Sequence, residues 1–412
     1  MNKLTKFLLI SLLTIFTMSC KKEKDDKGIF LLSYLYGTSN FNIEQIAYTN
    51  AKRLVSPLGQ FHYRGLYEPT SSSRGGSGLF HYGEEGDATY KTGTYLSSLA
   101  WKYKNNPSDD VLSQIDKTLL YYEGMQSRLN GWIGRNYVVD SAYQQFLPCE
   151  KNGSYTGSDV AVSCGTYRYK EFTIDGTKYW LRYDNSIDAI THTLMGLHWT
   201  ARFSPTHTER VKTIMKKLLT YYREVNWTVK DDVGTTLRYG DHTPTLNPVS
   251  WTNEAILLYW NGESMKSDSY IKLIADNIIT YDGNIVKEED RNFFNDYMII
   301  KNFHVLHDIG YSTKNGISRL YDQHKNEYYF LTYSIYKLVH NDQNVVHVKN
   351  LFNFPLFNYH CSGDVVVNYI VPLDSRKTYN RWEFSPYRLC IVKLESQDLS
   401  GNTDFLESYW IY

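Results

Sequence analysis

This sequence predicts a mainly α fold, built from antiparallel helix pairs arranged in a ring, and three observations predict it. Amphipathic segments follow one another from residue 42 to residue 340, joined alternately by tight turns and long polar loops. The most regular, WLRYDNSIDAITHTLMGLHWTARF from Trp180 to Phe203, carries an apolar stripe of Ile187, Ile190, Leu194, Leu197 and Ala201. A second face gathers Asn185, Asp188, His192, Gly196 and Trp199. The segment from about Asp87 to Tyr103 repeats this layout, with Leu96, Leu99, Ala100 and Tyr103 on one face and Asp87, Tyr90, Thr94 and Trp101 on the other. Pairs linked in this way bring every long loop to one end, and closing them into a ring makes that end the mouth of a cavity.

Lys3 and Lys6 precede an apolar run from Phe7 to Phe16, then Thr17-Met18-Ser19-Cys20 and an abruptly charged KKEKDD. The run is too short to span a bilayer and has the layout of an export signal. It is similar to a bacterial lipoprotein signal, with Thr17 where such signals usually carry leucine. That predicts a signal peptide over 1–19, an acylated Cys20 that anchors the chain to a membrane, and a tether over 20–40. The acidic members of the tether resemble the surface-export signal of Bacteroidota lipoproteins. Lysines come first, so an outer-membrane lipoprotein on the cell surface and one on the periplasmic face both stay open. Residues 41–412 are then expected to form a single domain.

Taken in order, Ile43, Ile46, Ala47, Ala51 and Leu54 recur at helical spacing after Asn42 and end near Pro57. The RGGSG of the next loop lacks the lysine and serine of a phosphate-binding loop. After the helix from Asp87, the break Asn105-Asn106-Pro107-Ser108 leads to another from about Asp109 to Arg128, bearing Val111, Leu112, Ile115, Leu119 and Tyr122. TYRYKEFTIDGTKYWLRY alternates, which predicts a hairpin turning on Asp175-Gly176. Asp184 is a candidate N-cap for the helix that follows, and His198, beside the apolar stripe, reads as a packed structural histidine. Ser204-Pro205-Thr206 closes that helix, and Glu209 to Val225 reads as an outer one.

The long loop RYGDHTPTLNPVS precedes helices near Trp251 to Trp260 and Tyr270 to Thr280. Further helices are expected near Arg291 to Ile309 and, after a Gly-bearing turn, near Glu327 to His340. Asn253 stands opposite its stripe and Glu254 at the edge. The helix from Arg291 is apolar nearly all round, so its wheel places neither Arg291 nor Tyr297. In the tail, VVVNYIV and LCIVKL read as short strands or buried segments.

Acidic and basic residues number 44 each, so no cationic stripe for nucleic acid is expected. Aromatic residues make up 16% of the chain, 37 of them tyrosine. Their flat faces with polar edges suit stacking on sugar rings, and equally suit filling a large core. Cys149 and Cys164 bracket a Gly/Ser-rich stretch and are placed to staple a loop in an exported protein. With no CxxC pair and no HExxH helix, no metal and no cofactor are expected.

GEEGDATYKTGTYLSSLAWKYK, GMQSRLNGWIGRNY, RYDNSIDAITHTLMGLHW and YNRWEFSPYR, spread over residues 40–390, resemble the (α/α) toroid enzymes that cleave glycosidic bonds. The likeness is to polysaccharide lyases and the related uronyl hydrolases in particular. It implies an (α/α) toroid, a barrel of helix hairpins, with a small β hairpin insertion and a short β-containing C-terminal tail. It also implies β-elimination on a uronic-acid polymer, in which a base removes the C5 proton while the neighbouring carboxylate is neutralised.

On that reading Asn185 is the carboxylate neutraliser, His192 the base and Tyr297 the leaving-group acid. Asp87, Tyr90, Asp188, Trp199, His242, Glu254 and Arg291 would contact the polysaccharide. Blander roles stand beside these: His192 as a hydrogen-bonded partner of Asp188 one turn earlier, Tyr297 as core, Arg291 as a surface charge, Asp87 and Asp188 as complements to a helix dipole. Two other functions also stay open. One is hydrolysis by paired carboxylates drawn from Asp87, Asp188 and Glu254. The other is a non-catalytic glycan-binding lipoprotein that hands oligosaccharide to a transporter.

Overall fold

The computed structural model describes residues 48–49, 51–52, 55–60, 64–67, 80–81, 88–139, 162–164, 167–244, 248–264, 267, 293–324, 330–345, 365–366, 390–391, 397–400 and 403–411. The signal peptide, Cys20 and the tether lie outside them, as do Asp87, Arg291, Cys149 and the helix expected near Tyr270 to Thr280. The described residues form an α-rich fold with small β hairpins and no closed barrel. No described helix is long and apolar enough to cross a membrane.

Helix α1 runs Ala88–Asn105, α2 Asp109–Arg128, α3 Ile187–Phe203, α4 Thr208–Glu224 and α5 Pro248–Trp260. They are followed by α6 (Phe293–Asp308), α7 (Lys314–His324), α8 (Phe330–His340) and α9 (Thr403–Trp410). Local chemistry sets several of these ends. Ser108 is the extended N-cap of α2 and accepts from the Val111 amide at 3.4 Å; Asp109 and Asp110 in the first turn and Arg128 in the last complement the helix dipole. For α3 the N-cap position is taken by Ser186, not Asp184. Asp184 instead holds Arg182 through both carboxylate oxygens, and the pair is buried.

Two further expectations are corrected. The Gly-bearing turn after α6 contains a helix of its own, α7, whose Gly316 lets it lie directly on the Phe303 ring. Part of the long loop RYGDHTPTLNPVS is strand, and α9 closes a tail in which no helical period stood out.

The central helices share one direction. Tyr90 meets His192 and Trp101 meets Trp199, so α1 and α3 run parallel. Thr191 bonds Asn253 while His198 bonds Trp260, so α5 runs with them. α3 also packs on α4 and α6, and α9 packs on α1 and α8. Every residue of α3 from Ala189 to Ala201 is consequently buried. Its second face, expected to line a cavity, lies on the matching face of α1.

The β structure caps the N-terminal end of α3. Strands β3 (Asn136–Val139), β4 (Val162–Cys164), β5 (Tyr167–Ile174) and β6 (Thr177–Arg182) form an antiparallel sheet in the order β3-β6-β5-β4. The hairpin β5–β6 turns on Asp175 and Gly176, whose φ of 48° and 77° are both left-handed, as a tight two-residue turn requires. Strands β7 (Thr228–Lys230) and β8 (Thr236–Asp241) form a second hairpin. Three smaller pairings complete the set: β1 (Arg64–Tyr67) with β2 (Phe80–His81) and with β11 (Gln397–Ser400), and β9 (Val365–Val366) with β10 (Cys390–Ile391).

Candidate functional site

The N-terminal ends of α1 and α3 meet the segment around Arg135. The GWIGRNY stretch is their common anchor. Thr89, at the start of α1, has its hydroxyl 2.7 Å from the Gly134 carbonyl and its amide donating to the Arg135 carbonyl at 3.0 Å. Asn185 donates its side-chain amide to the Ile133 and Gly134 carbonyls at 3.0 Å each, and accepts from the Ser186 amide. Its polar atoms thus brace the approach to α3.

His242 binds the same approach from the other side. Its Nε2 donates to the carbonyls of Tyr239 at 2.9 Å and Asn185 at 3.3 Å, and its Nδ1 accepts from the Tyr222 hydroxyl at 2.8 Å. Two carbonyl partners dictate this tautomer, because a carbonyl only accepts. Burial pushes the imidazole down to about 4, so it is neutral at pH 7.

His192 lies one turn deeper, fully covered, with Tyr90 packed edge-on against it at 4.0 Å. Nδ1 lies 2.8 Å from the Asp188 backbone carbonyl. The carbonyl makes Nδ1 the donor and leaves Nε2 as the basic nitrogen of a neutral ring. Burial foremost, and then the positive charge of Lys301, hold its pKa well below the usual value; the Asp188 carbonyl pulls the other way and Lys91 adds to the lowering. The one-turn partner expected for His192 is therefore the Asp188 main chain. The Asp188 side chain is partly exposed at the start of α3, and Glu254 is partly exposed on α5 next to Asn253.

Nearby, Tyr239 on β8 is 44% exposed, a large aromatic on the surface of this end. The Arg135 guanidinium lies 5.7 Å from its ring centroid, a cation over an aromatic face.

Of the residues singled out from sequence, Tyr90 and His192 are in contact, and Asn185 and His242 are joined to each other. Trp199 is elsewhere. It stacks on Phe203 and tilts against Trp101 and His304 toward the far end of α3, about 16 Å from Asp188 along the helix. There Trp260 donates to His198 Nδ1 at 3.1 Å, so Nε2 donates to Asp308, leaving His198 with both nitrogens engaged. Asp87 and Arg291 lie outside the described residues, and of Tyr297 only its backbone position in α6 is described. Among the described residues no three His, Cys, Asp or Glu side chains gather as metal ligands.

Sequence reasoning passed over Arg135, Tyr239, Lys301 and Glu407. Arg135 and Tyr239 come from segments without helical period. Alternation of Thr236 and Arg238 with Leu237 and Tyr239 was the available sign of a strand there.

No family model matches the sequence, and no curated protein matches it. Among solved structures, Bacteroides ovatus GH9 is similar over 90% of this chain and 81% of that one, with a TM-score of 0.41 and 11% identity. So distant a likeness carries no argument about chemistry.

Proposed function

We propose that this protein is a membrane-anchored enzyme of the cell envelope that cleaves a uronic-acid-containing polysaccharide by β-elimination on an (α/α) toroid plan. The observation that carries the reading is the setting of His192: Nδ1 is bonded to the Asp188 carbonyl, which makes Nε2 the basic nitrogen, and the Tyr90 ring lies against the imidazole. That is the form a proton acceptor needs. The shared direction of α1, α3 and α5 supports the toroid plan.

In this mechanism His192 takes the C5 proton, Tyr90 orients the imidazole, and Tyr297 of α6 protonates the departing oxygen as the C4–O bond breaks. Asn185, the neutraliser expected from sequence, has its side-chain amide bonded to two carbonyls; in its place Arg135 is the group proposed to neutralise the uronate carboxylate, with the Tyr239 ring beside it proposed to meet a sugar face. Because His192 is fully covered, reaction at Nε2 requires the loop end to open as the polymer arrives. Cys20 is the proposed lipid attachment, on either face of the outer membrane.

A screen of uronate polymers followed by ultraviolet absorbance tests the reading. Elimination yields an unsaturated, absorbing product. New reducing ends without absorbance would select hydrolysis, with Asp188 and Glu254 as the carboxyl pair, and binding without turnover would select a glycan carrier. Incorporation of labelled palmitate, lost in Cys20→Ala, tests the anchor.

A further inference from the structure

The interior of the helix array holds a charged pair that stability alone does not explain. Lys301 of α6 donates to Glu407 Oε2 of α9 at 2.7 Å, and Ser97 of α1 donates to Oε1 at 2.6 Å. Lys301 is 3% exposed and Glu407 1%. Removing two ions from water is costly enough that apolar residues of similar volume often serve a core as well or better. Here the pair joins three helices drawn from opposite ends of the chain.

Its place relative to His192 follows from α1. Gly93 lies against the backbone of His192, and Ser97 stands one turn beyond Gly93 on the same face, about 6 Å along the axis. We propose that the Lys301–Glu407 pair, pinned by Ser97, is a positioning device for His192, presenting a held positive charge to the imidazole and docking the C-terminal helix at the same crossing. The inference rests on the reading of His192 as the base.

Tyr90 packs on the His192 ring and the Asp188 carbonyl bonds its Nδ1; the charges that act on it are Lys301 of α6, to which Glu407 of α9 is bonded, and Lys91 of α1. Lys301 disfavours the imidazolium, and Glu407, bonded to Lys301 at 2.7 Å, carries the opposite sign. The two partners therefore act on His192 with opposite sign, whereas a purely packing role has no sign.

The test is the NMR titration of the His192 ring carbon in full-length protein, comparing wild type with Lys301→Met, Glu407→Gln and the double variant. Lys301→Met is expected to raise the midpoint by about one pH unit, a tenfold change in proton affinity. Glu407→Gln is expected to lower it, because the Lys301 charge then acts on the imidazole without its counter-ion. The double variant replaces both charges with neutral groups, keeps the fold if a single change does not, and is expected to titrate above wild type. Single variants that shift the midpoint in the same direction, or a double variant indistinguishable from wild type, would overturn the proposal. The readout needs no substrate. Opposite shifts without turnover on any polymer would leave the device standing and remove the catalytic reading; turnover with an unmoved titration would do the reverse.

Discussion

Gly196 of α3 lies directly against the main-chain carbonyl of Gly93 of α1. A Cβ at either glycine would come within 3.0 Å of the other helix's backbone, closer than real Cβ atoms sit. Backbone contact of this kind cannot be relieved by a side-chain rotation. Gly93→Ala or Gly196→Ala is therefore expected to cost about 1–3 kcal/mol or more in urea unfolding, as overpacking does. The double variant should cost less than the sum, because both changes push on one crossing. Additive losses would show that the two glycines do not share a contact.

The buried pair Arg182–Asp184 gives a second expectation. Asp184→Asn strands a covered guanidinium, and removing one partner of such a pair costs about 3–5 kcal/mol. Arg182→Met with Asp184→Leu should recover most of that loss in the same unfolding assay, since no lone charge remains.

Acid sensitivity follows from His242. Its folded pKa, about 4, lies below the ordinary value of 6.5, so the unfolded chain binds the extra proton. The stabilisation is complete above 6.5 and is lost as pH falls from there toward 4, a difference on the order of 3 kcal/mol. His242→Gln should flatten this limb of a stability–pH profile. An unchanged slope would mean His242 is not buried neutral.

Tyr239 is expected to matter for substrate and not for folding. Tyr239→Ala should leave stability within about 0.5 kcal/mol of wild type. It should raise KM roughly threefold to tenfold at constant kcat, the scale of one aromatic contact. A fall in kcat alone would place Tyr239 outside the substrate path.

Helical periodicity made α1, α2, α3, α4 and α5 legible because each has a clear division between faces or a strong end signal, such as Ser108 or Pro205. The wheel also found that α1 and α3 carry matching second faces: a carboxylate in the first turn, a polar residue after it, a small residue midway and a tryptophan at the far end. It could not tell whether such faces line a hollow or meet each other, since Tyr90 on His192 and Gly93 on Gly196 satisfy both as well as a cavity would. Lys301 was hidden in a helix apolar nearly all round, and Glu407 in a tail without period. A buried ion pair spanning 106 residues leaves no local pattern.

The most direct test of the central claim is the absorbance of products formed from a uronate polymer by wild type and by His192→Gln, with circular dichroism showing that both fold. Wild type is expected to form an absorbing product, and the variant to lose kcat by about a hundredfold or more. Equal rates from the two proteins, or chain cleavage that generates no absorbance, would contradict it.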